Sequence, residues 1–67
     1  MQLTINGTPR RFDHPVRTVA DVIRELALEG KRIAVEKNGE IVARSRYADT
    51  AVDVADRLEI VGAVGGG

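Results

Sequence analysis

The chain has no cysteine, only two prolines, only two aromatic residues (Phe12 and Tyr47) and no excess of charge: Lys+Arg and Asp+Glu each number 10 in 67 residues. Each shortage excludes something. Without cysteine there is no disulfide, no thiolate metal ligand and no thiol nucleophile, and redox chemistry says nothing of the compartment. A balanced charge argues against nucleic-acid binding, which draws on a basic excess gathered on one face. No run approaches the roughly 20 apolar residues that cross a bilayer, and MQLTINGT lacks the basic start and apolar stretch of a secretion signal. The expectation is a cytoplasmic protein with neither nucleic acid nor membrane as partner.

What is present suits one small domain. Apolar residues make up 43% of the chain, enough for a single core, and 30% are charged. A domain this short buries only about 60% of the surface its unfolded chain exposes, so its stability is narrow.

Met1, Leu3 and Ile5 alternate with Gln2, Thr4 and Asn6, the period of a half-buried strand. Asn6-Gly7 supplies two residues that tolerate positive φ and so marks a hairpin. The return strand is expected around 10–13, at or near a sheet edge, because Pro9 has no amide hydrogen to offer a ladder. A helix follows. Thr18 suits its N-cap and Asp21 completes a capping box. Val19, Val22, Ile23 and Leu26 repeat at helical spacing as one apolar stripe, and Gly30 is the natural stop. Ile33 and Val35 alternate with Ala34 and Glu36, Asn38-Gly39 turns the chain, and Ile41-Val42 brings it back. The 44–49 stretch reads as a loop or short helical turn. The last strand is Leu58-Glu59-Ile60-Val61.

Two local hairpins leave the last strand without a partner. Placed parallel to the first, in the middle of the sheet, it completes a mixed sheet of four to five strands with one helix across one face. That is an α+β fold of the β-grasp, ubiquitin-like class. The expected domain covers 1–63 and the expected flexible glycine tail 64–67.

The tail carries the chemistry. Glycine is costly to order and leaves an α-carboxylate unobstructed by any side chain. A carboxylate becomes a good electrophile once adenylated by ATP, and a sulfur nucleophile can then displace AMP to leave a thiocarboxylate. In a chain without cysteine, carried sulfur has no other place to sit.

MQLTINGTPRRF, TVADVIRELAL, RIAVEKNGEIVARSRY and DRLEIVGAVGGG resemble, in order and spacing, the ThiS family of thiamine-biosynthesis sulfur carriers. The resemblance spans the chain, and VEKNGEIV followed by RSRY and the LEIV…VGGG ending are its most specific parts. It implies that an E1-like adenylyltransferase, using ATP, activates the terminal glycine carboxylate. A sulfur-donating enzyme then supplies the sulfur, and thiazole synthase receives it. Gly67 takes the place of the modified glycine and Gly66 that of its spacer, with Gly65 extending the run. The carrier itself is a co-substrate with no catalytic set, metal or bound cofactor, and a monomer when free. The small subunit of molybdopterin synthase shares fold and diglycine. It tends to be longer and to carry prolines before the tail, whereas none follows Pro15 here. Carriers for other thiolation pathways and a plain β-grasp interaction module are the remaining alternatives.

Other residues are expected to be ordinary. His14 beside Asp13 lacks a nucleophile and reads as loop. Phe12 and Tyr47 read as core or core-edge packing, and Arg44 and Arg46 as solvated charges. Val61 is different. With Leu58 and Ile60 turned to the core, Val61 faces the open side of the sheet, where polar residues are the rule. Together with Ala63 and Val64 it makes a candidate docking patch beside the tail.

Overall fold

The computed structural model describes residues 1–62. Its elements are β1 (Gln2–Ile5), β2 (Thr8–Arg11), α1 (Val19–Glu25), β3 (Ile33–Lys37), β4 (Glu40–Val42), a single 3₁₀ turn at Arg44–Arg46, and β5 (Arg57–Gly62). The sheet order is β2-β1-β5-β3-β4. β5 therefore lies in the middle, parallel to β1 and antiparallel to β3, as the unpartnered last strand required.

Both hairpins turn where expected. Asn6 and Gly7 have φ of 53° and 78°, and Asn38 and Gly39 have 53° and 87°. Two successive positive φ values are what a two-residue type I′ turn demands, and Asn-Gly supplies them at the least steric cost. β2 begins earlier than the expected 10–13, at Thr8, because the tight turn starts the ladder at once (Ile5 opposite Thr8). Pro9 is accommodated because β2 is an edge strand. Phe12 lies just beyond the strand and is buried.

The start of α1 is fully satisfied. Thr18 Oγ1 accepts from the Asp21 amide, and the Asp21 carboxylate accepts from the amides of Thr18 and Arg17. The remaining first-turn donors reach another segment: Val19 N–H bonds the Thr50 carbonyl at 2.9 Å, and Ala20 N–H the Tyr47 carbonyl at 3.0 Å. The helix N-terminus is thus seated on the 47–50 stretch, with each of its first three amides paired.

Its end departs from expectation. The helix stops at Glu25, Leu26 is the C-cap, and Ala27 takes the left-handed position at φ 58°. Gly30 lies in the next turn instead, at φ 75°, where Leu28 C=O accepts from Lys31 N–H. The expected apolar stripe is therefore one residue too long. Val19, Val22 and Ile23 are buried, whereas Leu26 is half-buried at the edge of the cluster.

Leu3, Ile5, Val35, Leu58 and Ile60 from the three inner strands meet Val19, Val22 and Ile23 from the helix, with Phe12, Val16 and Val52 closing the sides. No polar side chain is buried among the described residues. The core thus lies wholly between helix and sheet, which leaves the opposite sheet face open.

Candidate functional site

The last described residues are the end of β5, and they determine where the rest of the chain departs. Leu58 and Ile60 point into the core; Glu59, Val61 and Gly62 are exposed. Val61 is 55% exposed, so its expected place on the open face is what the structure has. Of the other candidate residues, Ala63, Val64, Gly65, Gly66 and Gly67 lie outside the described residues.

Across the ladder Val61 stands opposite Ala34, and Glu59 opposite Glu36. Glu36 in turn pairs with Ile41 of β4, which is 81% exposed. The open face beside the chain's exit therefore has an apolar pair, Val61 with Ala34, next to two facing carboxylates. Like charges directly opposite one another destabilise a sheet, and neither carboxylate has an ion-pair partner among the described residues. Stability alone does not select this face.

β5 is anchored at both ends by the asparagines of the two turns. At its start, Arg57 N–H donates to Asn38 Oδ1 at 2.9 Å, and Asn38 N–H donates to the Arg57 carbonyl at 2.8 Å. Asn38 Nδ2 also donates to Asp56 Oδ1 at 2.9 Å. This bond, the Asp53 amide and Lys37 Nζ at 3.7 Å hold the Asp56 carboxyl below its usual range against the opposing effect of burial. Towards the end of β5, Ile60 N–H donates to Asn6 Oδ1 at 2.7 Å, and Asn6 Nδ2 donates to the Ile60 carbonyl at 2.9 Å. Reading the sequence as turns captured the backbone role of these asparagines and missed their side chains. The only signal was the residue type itself, since Asn alone couples left-handed tolerance to an amide that mimics a peptide.

The remaining candidates are dispersed. His14, Arg44 and Arg46 are exposed and Tyr47 is half-buried at the core edge. Among the described residues no three His, Asp or Glu side chains gather to hold a metal ion. Among the same residues no helix is long and apolar enough to cross a membrane. The surface hollows beside β4 and beside the end of α1 (the latter lined by Ile23, Leu28, Ile33 and Tyr47) are not lined by the end of β5. A further hollow, lined by Glu36, Asn38, Arg57 and Glu59, opens on the face that carries Val61.

The sequence profile of the ThiS family matches residues 3–67. This chain belongs to the ThiS family. The sulfur carrier protein ThiS of Bacillus subtilis is 35% identical over 65 residues, which cover 97% of this chain and 98% of that one. A thiazole synthase of Paramagnetospirillum magneticum is 46% identical over 67 residues, and there the chain spans only 20% of the relative's length. Among solved structures, the crystal structure of the thiamine biosynthesis protein ThiS from Geobacter metallireducens superposes with a TM-score of 0.83 at 32% identity, over the full length of both chains. Its NMR structure gives 0.79, over all of this chain and 88% of that one. The ThiS fold of these neighbours is the mixed five-stranded sheet with one helix described above, the ubiquitin-like β-grasp.

Proposed function

We propose that the chain is a sulfur carrier of thiamine biosynthesis, working through the carboxylate of Gly67. The observation that carries this is the family match running to residue 67 on a fold whose central strand ends at Gly62, five residues before it. In this reading residues 64–67 are an arm, thin because it is rich in glycine, that enters a partner's nucleotide site. An E1-like adenylyltransferase joins the Gly67 carboxylate to the AMP of ATP and releases pyrophosphate. A sulfur nucleophile supplied by a donor enzyme then displaces AMP, and the product is the thiocarboxylate. The chain supplies the reacting carboxylate and the recognition surface, and the partners supply the catalysis.

Thiazole synthase is the proposed acceptor. Its support is the relative of that name, in which a segment 46% identical to this whole chain forms part of a longer protein. Val61, with Ala63 and Val64, is the proposed contact for these partners. An apolar residue exposed beside a reactive arm can be desolvated on docking without disturbing the core.

Intact-mass analysis after incubation with ATP and a cognate activating enzyme tests the reading. The parent gains an adenylyl group, the mass of AMP less one water, and, with a sulfur donor, shows the mass change of an oxygen-to-sulfur exchange at Gly67. Deleting Gly67 shortens the arm, and adding a residue after it replaces the carboxylate by an internal amide. Both changes abolish the adduct while leaving the fold unchanged. An adduct on the Gly67-deleted chain would refute the carrier reading and leave a plain β-grasp interaction module.

A further inference from the structure

The pairing of β5 is lopsided. On the β3 side its ladder continues to Gly62. On the β1 side it stops at Leu58, because the chain turns away at Asn6-Gly7. The N–H and C=O of Ile60 face that abandoned side, in a residue that is otherwise buried. Left unpaired, they carry the desolvation cost of orphaned backbone groups.

We propose that Asn6 is a positioning residue, whose carboxamide holds the Ile60–Gly62 end of β5 ordered for the partner that reads the arm beyond it. The proposal rests on the carrier reading above. A side-chain amide is a peptide group detached from the chain, and here it forms one further rung: it accepts from Ile60 N–H at 2.7 Å and donates to Ile60 C=O at 2.9 Å. The Asn6 main-chain amide adds the rung before it, to Leu58 C=O at 2.8 Å. Two demands meet at this residue. The turn needs φ near 53°, and Ile60 needs one donor and one acceptor. Glycine meets the first alone. Aspartate meets the first and offers only acceptors when ionised. Asparagine meets both.

The consequence reaches the arm through Val61 and Gly62. Without the rung, the last three residues of β5 are held from one side only, and the face presenting Val61 loosens with them. A partner must then order this segment as it binds, so the cost falls on binding and leaves the step at Gly67 unchanged. Asn38 supplies an internal control. It makes the same kind of bond to Arg57, at the opposite end of β5 and far along the strand from the exit.

The test compares the full-length parent, Asn6→Gly and Asn38→Gly, since glycine keeps the left-handed turn in both. Adenylation kinetics with the activating enzyme are measured beside amide hydrogen exchange by NMR. Asn6→Gly is expected to raise the KM for the carrier about fivefold or more, with kcat within about twofold, while Asn38→Gly leaves both within about twofold. The Ile60 amide in Asn6→Gly is expected to exchange about tenfold faster relative to the Val22 amide, marking local and not global opening. An unchanged KM in Asn6→Gly, an equal rise in both variants, or uniformly faster exchange overturns the proposal. If Asn6→Gly does not fold, Asn6→Asp takes its place. It keeps the turn and the acceptor but sets an oxygen against the Ile60 carbonyl, and an unaltered KM overturns the proposal equally. A parent that forms no adenylate defeats the carrier reading itself, whereas an adenylated parent with an indifferent Asn6 defeats only this inference.

Discussion

Leu28 N–H donates to the carbonyl of Ile23 at 2.9 Å, over an Ala27 whose amide bonds the Arg24 carbonyl at 3.0 Å. These two bonds, with Ala27 in the left-handed region, form a Schellman closure, and the side chains of Ile23 and Leu28 both pack against the core. Position C′ of such a closure is normally glycine. An alanine there brings its Cβ too close to the following carbonyl oxygen, at a cost of roughly 1–2 kcal/mol.

Ala27→Gly is therefore expected to stabilise the domain by about 1 kcal/mol, since the relieved strain exceeds the added freedom of the unfolded chain. In a chain of this size the melting temperature should rise by about 4–8 °C. A fall would show that the closure is not strained.

The same boundary separates Ile23 from Leu26. Ile23 is 5% exposed inside the core, whereas Leu26 is half-buried at its rim. Ile23→Ala should cost about 2–5 kcal/mol and Leu26→Ala clearly less, because a rim site leaves a smaller void. Urea titration of the two variants measures both; equal losses would mean that the helix continues past Glu25.

Acid should weaken the domain through two aspartates. The amides of Arg17 and Thr18, with Arg24, hold the Asp21 carboxyl below its usual range, against a smaller opposing effect of burial. Asp56 is lowered chiefly by Asn38. A carboxylate depressed by folding contributes stability in full above its unfolded pKa, about 3.9, and loses it as pH falls through the lower folded value. Stability should thus be level on this account above about pH 5 and decline below about pH 4. Replacing Asp21 and Asp56 by asparagine should flatten that decline in urea midpoints recorded against pH. A profile as steep as the parent's would assign it to other groups.

Much of the fold was legible in the sequence because it is locally encoded. Asn6-Gly7 and Asn38-Gly39 announce their turns, and Thr18 with Asp21 announces the helix start. The central place of β5 followed from elimination, since neither hairpin could absorb Leu58 and Ile60. What escaped depended on distant neighbours. Gly30 looked like the helix stop, but Leu28 is drawn to the core and folds the chain over Ala27 three residues sooner. The grip of Asn6 on Ile60 spans 54 residues, and no local pattern carries it. At the candidate site, alternation alone placed Val61 outward. Its facing of Ala34, and that of Glu59 by Glu36, needed the register of β3 on β5.

Val61→Asp tests the proposed docking face. The residue is outside the core, so the variant should stay folded and lose about 1 kcal/mol or less, within the range that sheet surfaces tolerate. Binding to an activating enzyme or to thiazole synthase should weaken by about tenfold or more, because the new charge is desolvated only in the complex. Calorimetry on the folded variant decides between this and an unaltered affinity, which would place the interface elsewhere.

The parallel placing of β1 and β5 also has a mechanical meaning. A partner that draws on the chain beyond Gly62 pulls along β5, across the direction of its hydrogen bonds to β1 and β3. Tension in that geometry loads the rungs of both ladders together, where a strand pulled sideways from an edge would give them up one at a time. The domain can then take up traction at its exit as a rigid handle. On the carrier proposal, traction on the final residues leaves the domain that presents them intact.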